Sequence, residues 1–180
     1  MSTPTTDSPA RIRRIYDRHA GLYADSLIAE ATALLDAYLA TAAQHGYGEK
    51  ADEDGWLARS AAETVVQAHR QRGERSSTET YKLIGALRAA FETEGLEVVS
   101  TPVRMGIGVA PLPGGPTWGT AGGLAVALYV DSGWELMLNA TRTTSHSIHA
   151  PVTEAGAAEV AQLVRGVLRG DLPDPFRRNR

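Results

Sequence analysis

The sequence predicts an α+β fold in which three N-terminal helices precede a small antiparallel β-sheet of about three strands, packed against a C-terminal helix. Two observations predict it. Up to about residue 94 the apolar residues recur every three or four positions, which is the period of a helix with one buried face. After Gly95 the apolar residues alternate with small or polar ones, which is the period of a strand.

The change of period also predicts the organisation of the chain. We expect a helical region at 9–95 and a ββ(β)α region at 96–172. A disordered N-terminus is expected at 1–8, and a basic tail is expected at 173–180.

The first helix is predicted from one apolar stripe that runs from Ile12 to Ala42. Gly21 lies inside the stripe and would cost about 1 kcal/mol relative to alanine if the helix continued through it. His19 falls on the same stripe, so we expect it to be partly buried. The helix is expected to end near Gly46, because glycine tolerates positive φ at a helix C-terminus.

Capping residues mark the beginnings of the later helices. Asp52 or Asp54 is a natural N-cap for the second helix. Ser76, followed three residues later by Glu79, has the capping-box pattern and predicts the start of the third. Thr153 is the expected N-cap of the last helix.

Three segments alternate as strands do, at 103–109, 124–130 and 134–138. The sequence Asp131-Ser132-Gly133 separates the last two and is typical of a hairpin loop. Residues 145–149 are also expected to be extended, because they precede Pro151.

Composition narrows the classes of function. The 180 residues include no cysteine, which excludes disulfides, thiolate metal sites and cysteine nucleophiles. The net charge is −3, so no overall charge attracts the chain to a polyanion. The N-terminus lacks the apolar core of a signal peptide, and no apolar run approaches the roughly 18 to 20 residues that span a bilayer. We therefore expect a cytoplasmic protein without an integral membrane segment.

Two segments have compositions that suggest chemistry. The glycine-rich stretch 105–124 lacks both the Lys-Ser/Thr pair and the following helix that phosphate-binding loops require. His146 and His149 would share a face only on a helix, and an extended chain points them to opposite sides. A triad of Ser145, His146 and Asp131 lacks the strand-turn-helix context of a nucleophile. We therefore predict no catalytic residue, no metal site and no cofactor.

Arginine clusters support a second hypothesis, a regulator that binds nucleic acid. The candidate residues are Arg11, Arg13, Arg14, Arg18, Arg70, Arg72 and Arg75. The tail adds Arg177, Arg178 and Arg180. Peripheral membrane contact is less favoured, because the neighbouring apolar stripe is rich in Tyr and Ala.

The function we predict is that of a non-catalytic accessory or regulatory protein, which contacts an unknown protein partner or a second copy of itself. The partner-binding candidates are Trp118, on the glycine-rich loop, with Tyr16 and Tyr23 on the first helix. The Arg-rich, Lys-poor composition is compatible with a high-GC bacterium and with an accessory gene of the plasmid or prophage type. Another alternative is a small-ligand binder or enzyme with its site under the 110–123 loop, near Arg104, His146 and His149.

Overall fold

The computed structural model describes residues 7–19, 21–47, 51–71, 75–116, 122–139 and 144–176, without the side chain of Gln71. The α+β class is confirmed. The helices of these residues are α1 (Ser8–Tyr16), α2 (Asp25–Gln44), α3 (Trp56–Gln71), α4 (Ser77–Thr93) and α5 (Glu154–Arg169). Their strands are β1 (Leu22–Tyr23), β2 (Val98–Val99), β3 (Gly106–Val109), β4 (Leu124–Tyr129), β5 (Gly133–Leu138) and β6 (Ser145–His149).

The predicted numbers of helices and strands were wrong. Four helices precede β2 where three were expected, and the described residues form one sheet of six strands where about three were expected. The error in helices arises at the first one, which is divided into α1 and α2 by β1. Leu22 and Tyr23 pair in parallel with Ile148 and His149 of β6. This long-range pairing overrides the local helical pattern.

The strand order in the sheet is β1-β6-β5-β4-β3-β2. Strands β2 to β6 form an antiparallel meander in chain order, and only β1 is added in parallel. Side chains alternate between the two faces, so Ile148 lies on one face with Val126 and Leu136, while His149 lies on the other.

One hydrophobic cluster joins the helices to the inner face of the sheet. It extends from Ile12 in α1 to Leu168 in α5 and includes Val126, Leu136 and Ile148. Helices α4 and α5 pack against each other, whereas α1, α2 and α3 pack together. A second, smaller cluster lies on the outer face and consists of Val103, Ala125, Ala127 and Met137.

The predicted caps of α4 and α5 are confirmed. The hydroxyl of Ser76 accepts a hydrogen bond from the Glu79 N–H, and the Glu79 carboxylate accepts one from the Ser76 N–H. Thr153 caps α5 by accepting from the Gly156 N–H at 3.0 Å. The N-cap predicted for α3 at Asp52 or Asp54 is wrong in position, because α3 begins at Trp56 and Gly55 precedes it. The Asp52 carboxylate nevertheless accepts from the Leu57 N–H at 2.6 Å in the first turn of this helix. The predicted hairpin between β4 and β5 is also present.

Helix α2 is long and apolar enough to cross a membrane by length and composition alone. The same composition occurs in core helices of soluble proteins, so it is weak support for a span. Other described helices do not meet this criterion. The cytoplasmic location stays a prediction, as do the domain boundaries.

Candidate functional site

A cleft of about 810 Å³ lies between α1, α3 and the edge of the sheet where β1 pairs with β6. Its lining combines aromatic rings, hydroxyls and charged groups from three distant parts of the chain. The lining residues are Ile15, Tyr16, His19, Tyr23, Ala62, Glu63, Thr64, Val66, Gln67, Ala68, Arg70, Ser147 and His149. Its volume falls within the range of ligand sites for drug-sized molecules, roughly 300 to 1,000 Å³.

Three stacked rings form one side of the cleft. The ring centroids of Tyr16 and Tyr23 are 4.1 Å apart, and those of Tyr23 and His149 are 4.4 Å apart. The parallel pairing of β1 with β6 places Tyr23 directly beside His149, while the C-terminal end of α1 supplies Tyr16. The Tyr16 hydroxyl donates to the Ala62 carbonyl at 3.1 Å and so connects the stack to α3. The rings are therefore held in place by three elements.

The environment keeps the ionisable groups of the stack neutral at pH 7. Burial, together with the charges of Arg70 and His19, lowers the pKa of His149 from 6.5 to about 4. Burial raises the pKa of the Tyr23 phenol, although Arg70 opposes this shift. Burial also raises the pKa of Tyr16. The cleft thus offers a neutral imidazole and neutral phenols beside a guanidinium.

A smaller pocket of about 30 Å³ shares Val66, Arg70 and His149 with the cleft. We call it the inner pocket. His69 and Arg75 line it as well. The Nε2 atom of His69 lies 2.7 Å from the Glu30 carboxylate. Two guanidinium groups and two imidazoles are therefore gathered around this small space.

Two of the three predicted partner-binding residues meet in the cleft. Tyr16 is buried and Tyr23 is half-buried, and both belong to the cleft lining and not to an exposed helix face. Trp118 lies outside the described residues. His19, expected to be partly buried, is exposed and lines the cleft, because the helix on which that expectation was based ends at Tyr16.

The arginines proposed for nucleic-acid binding are dispersed among different contacts. Arg11 forms an ion pair with the Asp52 carboxylate, and Arg13 forms one with Asp25 at 3.1 Å. These pairs neutralise two of the positive charges that the hypothesis requires. The Nε of Arg14 donates to the Ala10 carbonyl, Arg18 is exposed after α1, Arg70 lines the cleft and Arg75 lines the inner pocket. Arg72, Arg177, Arg178 and Arg180 lie outside the described residues, and nucleic-acid binding stays a prediction.

The site expected under the glycine-rich loop is only partly described, since residues 117–121 lie outside the described part of the chain. His146 and His149 are on opposite faces of β6, as the extended segment predicted. His146 contacts Phe176 edge to face at a centroid distance of 4.8 Å, and burial lowers its pKa. Arg104 lies in the turn before β3. Within the described residues, no group of three or more His, Asp or Glu side chains could hold a metal ion.

Sequence reasoning missed the cleft because its sides come from α1, α3 and β6, which are far apart in the chain. One local signal was present. Gly21 and Tyr23 lie where the apolar stripe was expected to continue, and a β-carbon on Gly21 would meet two ring atoms of His149 at 3.0 Å. A glycine in a predicted helix was thus a sign of close packing.

An exposed aromatic surface lies where the C-terminal end of α2 meets the N-terminal end of α3. Trp56 is 60% exposed and Tyr47 is 69% exposed, next to the half-buried Tyr38 and Leu57. These residues, with Thr41, Ala42, His45 and Ser60, surround a shallow depression of about 580 Å³ that we call the tip surface.

Comparisons of the chain with protein-family models, with curated proteins and with solved structures found no match.

Proposed function

We propose that the protein binds a small molecule in the cleft and acts as a non-catalytic, ligand-responsive accessory protein. The observation that supports this most directly is the stack of Tyr16, Tyr23 and His149 beside Arg70 in a cleft of about 810 Å³. A ligand site typically combines apolar and aromatic surface with a few polar groups that fix orientation. The cleft has both.

The protonation states favour binding over acid–base catalysis. A general acid or base works best when its pKa is near the working pH. The pKa of His149 is lowered to about 4, and the pKa of Tyr23 is raised above its ordinary value. Neither pKa is near 7, so both groups are suited to accept or donate hydrogen bonds as neutral groups at that pH.

A thermal-shift screen tests the proposal. Purified protein is heated with nucleotides, organic acids, sugar phosphates, amino acids and metal ions. A ligand at about 100 times its Kd stabilises the native state by about 2.7 kcal/mol, a shift of several degrees in Tm. We expect at least one organic compound to produce such a shift and to perturb backbone NMR signals of 15–23, 62–70 and 147–149.

A matched pair of variants tests whether the stabilising ligand binds in the cleft. Gln67→Trp places a large ring at an exposed position that lines the cleft, so it should abolish the shift. Gln162→Trp makes the same change at an exposed position of α5, which does not line the cleft, and should leave the shift intact. A ligand that stabilises both variants equally does not bind in the cleft, and that result contradicts the proposal.

A second candidate function is protein–protein interaction through the tip surface. Trp and Tyr are enriched among residues that dominate binding energy at interfaces. Single exposed apolar residues are ordinary on a protein surface, but a group of neighbouring aromatic side chains is characteristic of interaction sites. The exposure of Trp56 and Tyr47 beside Tyr38 favours this candidate.

Affinity capture from host lysate tests it, with nuclease-treated and untreated samples compared at moderate salt. Trp56→Ser should lose a partner that survives nuclease treatment. Tyr81→Ser removes an equally exposed aromatic residue of α4 outside the tip surface and should retain that partner. Self-association through the tip surface is tested by light scattering, which compares the molar mass of the wild-type protein with that of the same two variants. Capture of partners that are lost after nuclease treatment would instead favour nucleic-acid binding through the arginine clusters.

A further inference from the structure

We infer that the ligand of the cleft carries an anionic oxyacid group, bound where the cleft and the inner pocket share Arg70 and His149, with the remainder of the ligand beside the aromatic stack. This inference rests on the proposed function, because it specifies the chemistry of the same site. Carboxylate, phosphate and sulfonate groups share the recognition chemistry it describes.

The first support is the distribution of charge. Among the described residues that line the inner pocket, two are arginines and two are histidines, and none is Asp or Glu. The cleft adds His19 and one carboxylate, the exposed Glu63. Arg70 lies close enough to influence both His149 and Tyr23 through its charge. Since His69 is already paired with Glu30 and His149 is neutral, an anion at this junction would offset the charges of Arg70 and Arg75.

The second support is an unused donor. The Nη2 of Arg75 donates to the Tyr129 carbonyl at 3.2 Å, but its Nε is buried without a hydrogen-bond partner among the described residues. A buried guanidinium nitrogen without an acceptor is unfavourable. An oxyacid group can accept hydrogen bonds from several such donors in fixed geometry. Arg75 lines the inner pocket, where such a group would be bound.

The third support is the size and shape of the combined space. The inner pocket, at about 30 Å³, can contain one small group, whereas the cleft, at about 810 Å³, has room for a much larger body. The His149 ring is stacked on Tyr23 at the boundary of the two. The shape therefore fits a molecule with a compact charged head and a larger organic part.

Binding of an anion should also change the protonation state of His149. His149 is neutral in the free protein because of burial and of the charges of Arg70 and His19. An anion beside Arg70 counters those charges and raises the pKa of His149, so binding is accompanied by proton uptake. The groups that face His149 or line the two adjoining spaces are Tyr16, His19, Tyr23, Glu63, His69, Arg70 and Arg75. Affinity for an anion of constant charge should then rise as the pH falls.

The test uses three probes of one ring size and different charge: benzenesulfonate, benzenesulfonamide and benzylammonium. Sulfonate keeps its charge between pH 5 and pH 8, so the probe does not titrate. Binding is followed by NMR of backbone amides, the arginine side chains and the imidazole of His149. We expect benzenesulfonate to bind at least about tenfold more tightly than the other two, equivalent to about 1.4 kcal/mol. Inorganic sulfate and phosphate, which lack the ring, should bind more weakly at the same residues.

Variants distinguish the loss of the Arg70 charge from a loss of folded structure. Arg70→Gln should weaken benzenesulfonate binding about tenfold or more, while Tm changes little because Arg70 is exposed. Arg59→Gln removes an exposed arginine of the same helix that does not line the cleft and should have no effect. His149→Gln should abolish the increase in affinity between pH 7 and pH 5 that the wild-type protein shows.

The outcomes distinguish failure of the anion inference from failure of the proposed function. Tighter binding of benzenesulfonamide or benzylammonium at the cleft signals would overturn the anion inference and leave the proposed function standing. Unchanged affinity in Arg70→Gln would also overturn it. If none of these probes and no compound of the thermal-shift screen perturbs the cleft, both the inference and the proposed function fail.

Discussion

A β-carbon at position 21 would meet the Cδ2 and Nε2 atoms of His149 at 3.0 Å and the Ser147 carbonyl at 3.4 Å. Such contacts are closer than ordinary packing, and stacking on Tyr23 restricts the movement of the imidazole. Gly21→Ala should therefore displace the ring and lower the free energy of unfolding by about 1 to 2 kcal/mol, as overpacking does. Urea denaturation measures the change.

Gly85→Ala is the matched control. Gly85 is exposed in α4, and its β-carbon would meet nothing within 4 Å. Alanine there should stabilise the protein by about 0.5 to 1 kcal/mol, because glycine is a poor helix former. If both substitutions stabilise, the close approach of Gly21 to His149 is not present in solution.

The lowered pKa of His149 predicts a pH dependence of stability. The pKa is about 4 in the folded protein and near 6.5 in the unfolded chain. Between these values the unfolded chain binds a proton that the folded protein does not. Stability is therefore complete above about pH 6.5 and falls as the pH decreases toward 4, by up to about 3 kcal/mol.

Urea denaturation at pH 7.0, 5.5 and 4.5 measures this dependence, and NMR of the imidazole reports the pKa directly. His149→Gln should show a flatter profile, although it starts from a lower stability. His146 and the carboxylates are present in both proteins, so the difference between the two profiles reports His149. Parallel profiles, or an imidazole that titrates near pH 6.5, would contradict the buried position of the ring.

At the scale of elements, Asp52 connects α1 to the start of α3. Its side chain is 1% exposed, accepts from Arg11 of α1 and also accepts from the Leu57 N–H. Asp52→Ala leaves the half-buried Arg11 guanidinium without its carboxylate, although the backbone carbonyl of residue 52 still accepts from it, and leaves the Leu57 N–H without its acceptor. We expect it to cost about 2 to 4 kcal/mol, since breaking a buried ion pair from one side leaves the other charge uncompensated.

The ion pair of Arg13 with Asp25 provides the comparison. It also joins α1 to the next helix, but the Asp25 side chain is 85% exposed. Arg13→Ala should change the free energy of unfolding by no more than about 0.5 kcal/mol. Equal effects of the two substitutions would mean that the start of α3 is open to solvent.

The elements differ in how far the sequence could predict them. Ser76, Glu79 and Thr153 act through backbone groups within a few residues, so their patterns predicted the caps of α4 and α5 correctly. Strand β1 has two residues, too few for a period, and it exists because it pairs with β6. The cleft depends on that same pairing. Tyr23 was therefore predicted as a binding residue on a helix, whereas it is a strand residue stacked on His149.

At the scale of the whole molecule, the continuous core predicts cooperative unfolding. The main hydrophobic cluster includes residues of all five described helices and of the central strands. The Ser26 N–H of α2 donates to the Glu159 carboxylate of α5 at 3.0 Å, which adds a direct connection between distant parts of the chain. We expect the helical and sheet regions to unfold in one transition.

Labelling with fluorotryptophan gives separate ¹⁹F signals for Trp56 of α3 and Trp134 of β5. Their midpoints in urea should coincide. The predicted boundary near residue 95 would instead be supported if the Trp56 signal reported the unfolded state at a lower urea concentration than the Trp134 signal.

The parallel pair of β1 and β6 also has a consequence during synthesis. Strand β1 is synthesised before its partner β6, which lies more than a hundred residues later in the chain. At roughly 5 to 20 residues per second, Ile148 follows Leu22 by on the order of ten seconds. Throughout that interval Tyr16 and Tyr23 have no imidazole to stack on. The cleft thus arises only after β6 has been synthesised, so a chain that ends before β6 lacks the His149 side of the proposed site.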